Sequence, residues 1–147
     1  MNQIRFGWMA LLCGLLVLGC GDDKEDSDAE TAPLEVIGEW ESTFGDMVFP
    51  ESITEEAWGF ADLIEYDNAK NVAITKSPDF DDPSIETYSR LVWLEPEGDS
   101  FYYCTVAYGL ETADEARTTK AKADDGDPDA GGCGEDDFPW TKLTKTK

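Results

Sequence analysis

Residues 88–108 read YSRLVWLEPEGDSFYYCTVAY, and this stretch decides the fold. Two runs rich in aromatic and β-branched residues, Tyr88–Leu94 and Phe101–Tyr108, flank a polar turn that contains Pro96 and Gly98. Side chains of the first kind favour strands, whereas proline and glycine favour the turn between them. The stretch therefore predicts a β-hairpin.

Upstream of this hairpin the same alternation recurs. In residues 36–44 the larger apolar side chains, Trp40 among them, fall on one face and the acidic ones on the other, which is typical of a half-buried strand. Gly45-Asp46 is a good two-residue turn. Residues 47–49 would form the returning strand, and we expect Pro50 to end it because proline cannot donate to a ladder.

The remaining elements follow from similar signals. Trp58–Tyr66 predicts one strand, and Asn71–Thr75 predicts a partner that pairs back after a turn. Thr112–Ala123 is the one helical candidate, since Thr112 could cap it and Glu115 stands at the capping-box position. Trp140–Lys145 predicts a closing strand.

Taken together, residues 34–147 predict one mainly β domain with hairpin (meander) connections. Short strands joined by tight turns are most economically closed as a small antiparallel β-barrel or sandwich, here with one short helix. Both faces of the 88–108 hairpin carry large side chains, which is unusual for a sheet with one solvated side. Either another segment covers the second face, or aromatic side chains line a cavity.

The N-terminal residues differ sharply from this domain. An apolar run from Phe6 to Leu18 follows Arg5 and is too short for a spanning helix, which needs about 20 residues. Val17-Leu18-Gly19-Cys20 resembles the lipobox of bacterial lipoproteins. The resemblance implies a signal peptide over residues 1–19 and a lipid on Cys20; a plain secretory signal is the alternative.

Residues 20–33 follow the proposed lipid site and are rich in Asp and Glu without a large apolar side chain. Such a segment cannot bury a core, so we expect a flexible, disordered tether. Gly21 stands where the resemblance would place an inner-membrane retention aspartate. The expected location is therefore the cell envelope, at the outer membrane rather than the inner one, with the lipid on Cys20 contacting the membrane.

The four cysteines support this interpretation. Cys13 would leave with the signal peptide and Cys20 would carry lipid, so Cys104 and Cys133 remain as a pair. A disulfide between them would contribute roughly 3–4 kcal/mol in the chain-entropy model. A zinc site is the weaker alternative, because the chain has no histidine to complete a ligand set.

The charge and the missing motifs exclude several functions. With 33 acidic and 11 basic residues the formal net charge is −22, which would repel nucleic acid and anionic lipid. The absence of histidine excludes the usual Ser–His–Asp and Cys–His catalysis, and no phosphate-binding glycine motif is present. We therefore expect no enzyme activity and no nucleic-acid partner.

The acidic loop that begins near Asp125 is the candidate metal site in this sequence. Asp125, Asp127 and Asp129 alternate, and Asp136 follows. Carboxylates at alternate positions suit Ca²⁺, which takes six to eight oxygen ligands. A solvated acidic loop without metal is the alternative, and no other cofactor is predicted.

The opening strand carries a second resemblance. Gly38-Glu39-Trp40 is similar to the opening motif of lipocalins and related calycin barrels. This implies a barrel that binds a small apolar or sugar-like ligand, and the aromatic candidates to line it are Trp40, Trp58, Trp93 and Tyr103. The alternative function is a non-catalytic structural or protein-interaction lipoprotein without a ligand. An interior cavity of about 300 Å³ or more lined by those tryptophans would favour ligand binding.

Overall fold

A computed structural model describes residues 32–44 and 46–147. The predicted signal peptide, Cys20 and nearly all of the predicted tether lie outside the described residues. Within the described ranges, no helix combines the length and the apolar character that crossing a bilayer requires.

The domain is a closed antiparallel barrel in which each strand pairs with the next and β8 pairs with β1. The predicted mainly β domain with meander connections is therefore confirmed, and of the two predicted architectures the domain is a barrel rather than a sandwich. The strands are β1 (Gly38–Phe44), β2 (Met47–Ile53), β3 (Ala57–Trp58), β4 (Ala61–Asp67), β5 (Val72–Pro78), β6 (Glu86–Trp93), β7 (Ser100–Leu110) and β8 (Thr141–Lys145). One helix, α1 (Ala113–Thr118), lies between β7 and β8 and packs on the outside of β5, β6 and β7.

The two ends of the barrel differ. At one end, which we call the closed end, residues 32–37 are held against the turn between β4 and β5. Tyr66 donates a hydrogen bond from its hydroxyl to the Ala32 carbonyl at 3.1 Å, and the Asn68 amide donates to the Pro33 carbonyl at 2.9 Å. The opposite end, which we call the mouth, is bordered by the β3–β4 turn and the β5–β6 loop.

An aromatic cluster fills the half of the interior beside the closed end. The rings of Trp40 and Phe101 lie 4.8 Å apart, and Trp58 lies 5.7 Å from Trp93, measured between ring centroids. Edge-on and tilted aromatic pairs of this spacing are favourable beyond the apolar area that they bury. The other buried side chains of this cluster are Leu34, Val36, Ile53, Ala73, Leu91 and Leu143.

Close packing explains the glycine of the Gly38-Glu39-Trp40 motif. A Cβ atom at Gly38 would lie 3.3 Å from Nε1 of Trp40, which is tighter than ordinary contact. That nitrogen donates a hydrogen bond of 3.0 Å to the Val36 carbonyl, so the indole ring cannot turn away without losing its partner.

Residues 119–140, which we call the cover segment, lie over the outer face of β6 and β7. Cys104, Val106 and Trp140 form a second buried cluster there, with Ala121 and Ala123 packed against it. The Cys104–Cys133 disulfide joins β7 to this segment across a Cα–Cα distance of 5.4 Å. The predicted disulfide is therefore confirmed, and the second face of the hairpin is covered.

The prediction that Pro50 ends its strand is wrong. β2 continues through Pro50 to Ile53, with Pro50 opposite Glu41 of β1. On its other side β2 pairs with β3 only at Ile53. The missing N–H of Pro50 therefore faces an unpaired edge, where proline is tolerated.

The single strand predicted for Trp58–Tyr66 is also wrong. The chain turns at Gly59 and Phe60, so that Trp58 ends β3 and Ala61 begins β4. Gly59 has a φ of +59°, which glycine adopts readily and a strand does not contain. As a result Phe60 points to solvent, 93% exposed.

The helix is shorter than predicted. Thr112 does cap it, accepting from the Glu115 N–H at 3.2 Å, but the Glu115 carboxylate accepts from Glu111 rather than from Thr112. The helix ends at Thr118, and Thr119 has an extended ψ of 143°. The residues beyond it join the cover segment because Ala121 and Ala123 gain apolar contacts there.

Candidate ligand-binding cavity

The half of the barrel interior toward the mouth is open. Its cavity measures about 1010 Å³. In this half the inward-facing residues of β5, β6 and β7 are small, namely Thr75, Ser89 and Thr105, whereas Trp93 and Phe101 fill the other half. An eight-stranded barrel is just wide enough either to be filled by side chains or to hold one small ligand. This change in side-chain size therefore creates a space of ligand dimensions.

Aromatic side chains surround the mouth. Phe60 and Phe80 are 93% and 97% exposed, although both border the cavity. Tyr108 and Phe49 also border it and are 68% and 44% exposed. Because these rings contribute little to the core, their apolar surface is available to a molecule entering the barrel.

Of the four aromatic residues that the sequence predicts to line a cavity, two line it and two do not. Trp58 and Tyr103 line the cavity at its floor, with ring centroids 5.3 Å apart. Trp40 and Trp93 instead pack beneath the floor and do not line the cavity. Trp93 donates a hydrogen bond of 2.6 Å to Glu35, which fixes it to the closed end.

Glu51 is the acidic residue at the floor of the cavity. It lies on β2 two residues before the buried Ile53, so both side chains are on the same face of the strand. Tyr103 donates a hydrogen bond of 3.4 Å to the Glu51 carboxylate. Burial raises the pKa of the Glu51 carboxyl, and the neighbouring Ser42, Tyr103 and Trp58 side chains partly oppose that rise. Burial and the Glu51 charge in turn raise the pKa of the Tyr103 hydroxyl, so the phenol remains neutral.

Two donors beside this carboxylate make no close hydrogen bond. The Ser42 hydroxyl and the Trp58 Nε1–H are buried next to Glu51, but among the described residues neither makes a hydrogen bond of normal geometry. Ser42 is fully buried and Trp58 is 4% exposed. Buried polar groups in proteins are nearly always paired, so this unpaired set marks the floor as a polar site within an apolar cavity.

Every charged side chain that lines the cavity is acidic. They are Glu51 at the floor and Asp79 and Asp81 at the mouth; of residues 32–44 and 46–147, no lysine, arginine or histidine lines it. The cavity therefore combines aromatic walls with a negative potential.

The acidic loop is not assembled as a metal site. No group of three or more His, Cys, Asp or Glu side chains within the described ranges is placed to hold a metal ion. Asp125, Asp127 and Asp136 are exposed in the cover segment. Asp129 accepts a hydrogen bond of 3.0 Å from the Tyr102 hydroxyl, on the outer face of the barrel. The four predicted calcium ligands are thus not brought together.

Glu51, Phe60 and Phe80 were not predicted as site residues. The alternation of β2 could have identified Glu51, because it shares a face with Ile53. The expected strand end at Pro50 removed it from that pattern. Phe60 was assigned to a strand face, and nothing in the sequence around Phe80 distinguishes a mouth residue from any exposed loop residue.

Compared with known proteins, the chain matches no family model, no curated protein and no solved structure.

Proposed function

We propose that this chain is a lipid-anchored envelope lipoprotein whose barrel binds a small apolar or sugar-like ligand. The observation that carries the proposal is the cavity of about 1010 Å³ with Trp58 and Tyr103 at its floor. Ligand sites are concave, mostly apolar and equipped with a few convergent polar groups. The aromatic mouth and the polar cluster around Glu51 supply both properties.

Anchoring rests on the sequence alone. The lipobox-like Val17-Leu18-Gly19-Cys20 supports a lipid on Cys20, and Gly21 supports the outer membrane over the inner one. The barrel would then act as a binding module held beside the membrane.

The proposed role is non-catalytic and does not involve nucleic acid. Among the described residues no histidine, lysine or cysteine lines the cavity, and the proposal assigns Glu51 to ligand binding rather than to proton transfer. A net charge of −22 also disfavours nucleic acid.

The proposal can be tested with a neutral apolar dye, N-phenyl-1-naphthylamine, whose fluorescence rises in an apolar site. We expect the soluble domain to bind it. Thr105→Trp should weaken binding by about tenfold or more, equal to about 1.4 kcal/mol, because an indole ring would occupy the cavity.

Thr144→Trp is the matched control. Thr144 lies exposed on β8 and does not line the cavity, so this variant should bind the dye normally. Circular dichroism would verify that both variants fold. Equal dye binding by both variants would place the dye outside the barrel and contradict the proposal.

Native mass spectrometry of the domain purified from its own host would identify a retained ligand. A bare mass together with no dye binding would favour the second function, a structural or protein-interaction lipoprotein.

A further inference from the structure

We propose that the natural ligand is an amphipathic organic cation, in which an apolar body fills the barrel and an amine or quaternary ammonium group reaches Glu51. This inference rests on the proposed ligand-binding function and specifies the class of ligand. Its central observation is a partly buried carboxylate at the end of an aromatic cavity, which forms no ion pair with any other described residue.

The missing cation is the first step. The ion pairs of the described residues involve Lys70, Lys76 and Arg117, and none of them includes Glu51. Buried carboxylates are normally paired, because desolvation of an unpaired charge is costly. A positively charged group entering from the mouth would supply the pairing that the rest of the described chain does not.

The neighbouring donors are the second step. Ser42, Trp58 and Tyr103 surround the carboxylate from three different strands, β1, β3 and β7. Hydrogen-bond donors favour the ionised form of a carboxyl group, so they oppose the neutralising effect of burial. The Trp58 Nε1–H and the Ser42 hydroxyl lie beside the carboxylate without a close hydrogen bond, so both could also donate to an oxygen atom of the ligand.

The aromatic floor is the third step. Trp58 and Tyr103 stand at 60° to each other with centroids 5.3 Å apart, next to Glu51. The faces of such rings attract cations, and the attraction is stronger where water is displaced. Quaternary ammonium groups are recognised in this way.

The charges at the mouth are the fourth step. Asp79 and Asp81 border the cavity together with the exposed rings of Phe60 and Phe80. A cleft lined by one sign of charge attracts ligands of the opposite sign and repels ligands of its own. Carboxylate ligands such as free fatty acids would therefore be rejected.

The experiment compares three probes with the same apolar chain: octyltrimethylammonium, 1-octanol and octanoate. We expect isothermal titration calorimetry of the soluble domain to show the order cation, alcohol, carboxylate. Glu51→Gln should weaken binding of the cation by about 10- to 100-fold, the lower part of the range for close pairs of opposite charge, and leave the alcohol nearly unchanged.

Glu97→Gln is the matched control. It removes the same charge from an exposed residue of the β6–β7 turn at the closed end, outside the cavity. This variant should bind all three probes like the native protein, and melting curves would show that both variants fold.

A pH series adds a second readout, because octyltrimethylammonium does not titrate. Its affinity should fall as the pH drops through the raised pKa of Glu51. The other groups that face this carboxylate, Ser42, Trp58 and the neutral Tyr103, do not change charge in that range. Asp79 and Asp81 lie at the mouth, and the variant D79N/D81N would separate their effect.

The outcomes distinguish the two proposals. If 1-octanol binds as tightly as the cation, or if Glu51→Gln leaves cation binding unchanged, the cation inference is overturned and ligand binding stands. If octanoate binds best, the cation inference is likewise overturned. If none of the three probes binds but the neutral dye does, the cation inference is overturned and ligand binding stands. If neither the probes nor the dye bind, the proposed function fails and the inference fails with it.

Discussion

Burial of the Glu51 carboxyl group makes the stability of the folded protein depend on pH. Burial at the floor of the cavity raises its pKa in the folded protein, while the unfolded chain leaves it at an ordinary value. At a pH between the unfolded pKa and the folded pKa, Glu51 is protonated in the folded protein and ionised in the unfolded chain. The stability linked to this group is therefore full below the unfolded pKa and falls as the pH rises through that window.

Glu51→Gln should consequently be more resistant to heat than the native protein at neutral pH, since the amide is uncharged at every pH. The advantage should disappear as the pH falls toward about 4, where the carboxyl group is protonated even in the unfolded chain. Thermal melting followed by circular dichroism from pH 4 to 8 would measure the difference. A native protein that is the more stable of the two at pH 7 would show that its neighbours fully stabilise the charge.

Among the elements, the cover segment depends most on one bond. It has no helix or strand of its own and is held by the buried Trp140 and the Cys104–Cys133 disulfide. Cys133→Ser should lower the free energy of unfolding by about 3 kcal/mol. Hydrogen exchange should accelerate in residues 120–140 more than in the strands, because the barrel closes through β1 and β8 without this segment.

Asp136→Ser is the matched control, because it also introduces a serine into the cover segment but leaves the Cys104–Cys133 disulfide intact. Urea unfolding would measure the free energy for both variants. Asp136→Ser should leave the urea midpoint and the hydrogen-exchange pattern of residues 120–140 unchanged. Uniform acceleration throughout the barrel in Cys133→Ser would instead mean that the cover segment and the strands unfold as one unit.

The strands whose sequence pattern was local were predicted well. The 88–108 hairpin and the closing strand are recognisable because their residues alternate and their turns contain proline or glycine. The ends of β2 and β3 were predicted wrongly, because where these strands end depends on the strands that pair with them. Whether Pro50 ends a strand depends on β3, which pairs only at Ile53.

The candidate site was predictable only in part, for the same reason. Trp58 and Tyr103 are large aromatic residues, so composition alone drew attention to them. Their separation from Trp40 and Trp93 depends on the small residues Thr75, Ser89 and Thr105, which face inward near the mouth. The sizes of residues on three strands decide where the cavity begins, and no single stretch of sequence contains that information.

For the molecule as a whole, the first question is how it is held. If Cys20 carries lipid, Cys20→Ser should move the protein from the membrane fraction to the soluble fraction of its host. Cys13→Ser is the matched control, because that cysteine would leave with the signal peptide. Immunoblots of the separated fractions would give the distribution, and continued membrane association of the Cys20 variant would exclude the lipid anchor.

The two halves of the barrel interior are built differently, and this affects how the protein can change over time. The half near the closed end is filled by large side chains in contact, and even a Cβ atom added at Gly38 would press on the Trp40 indole ring. The half near the mouth has space between its residues, and Phe60 and Phe80 touch mainly solvent. If the barrel binds a ligand as proposed, mutations near the mouth can alter ligand preference at little cost in folding, so one scaffold could evolve to serve many different ligands.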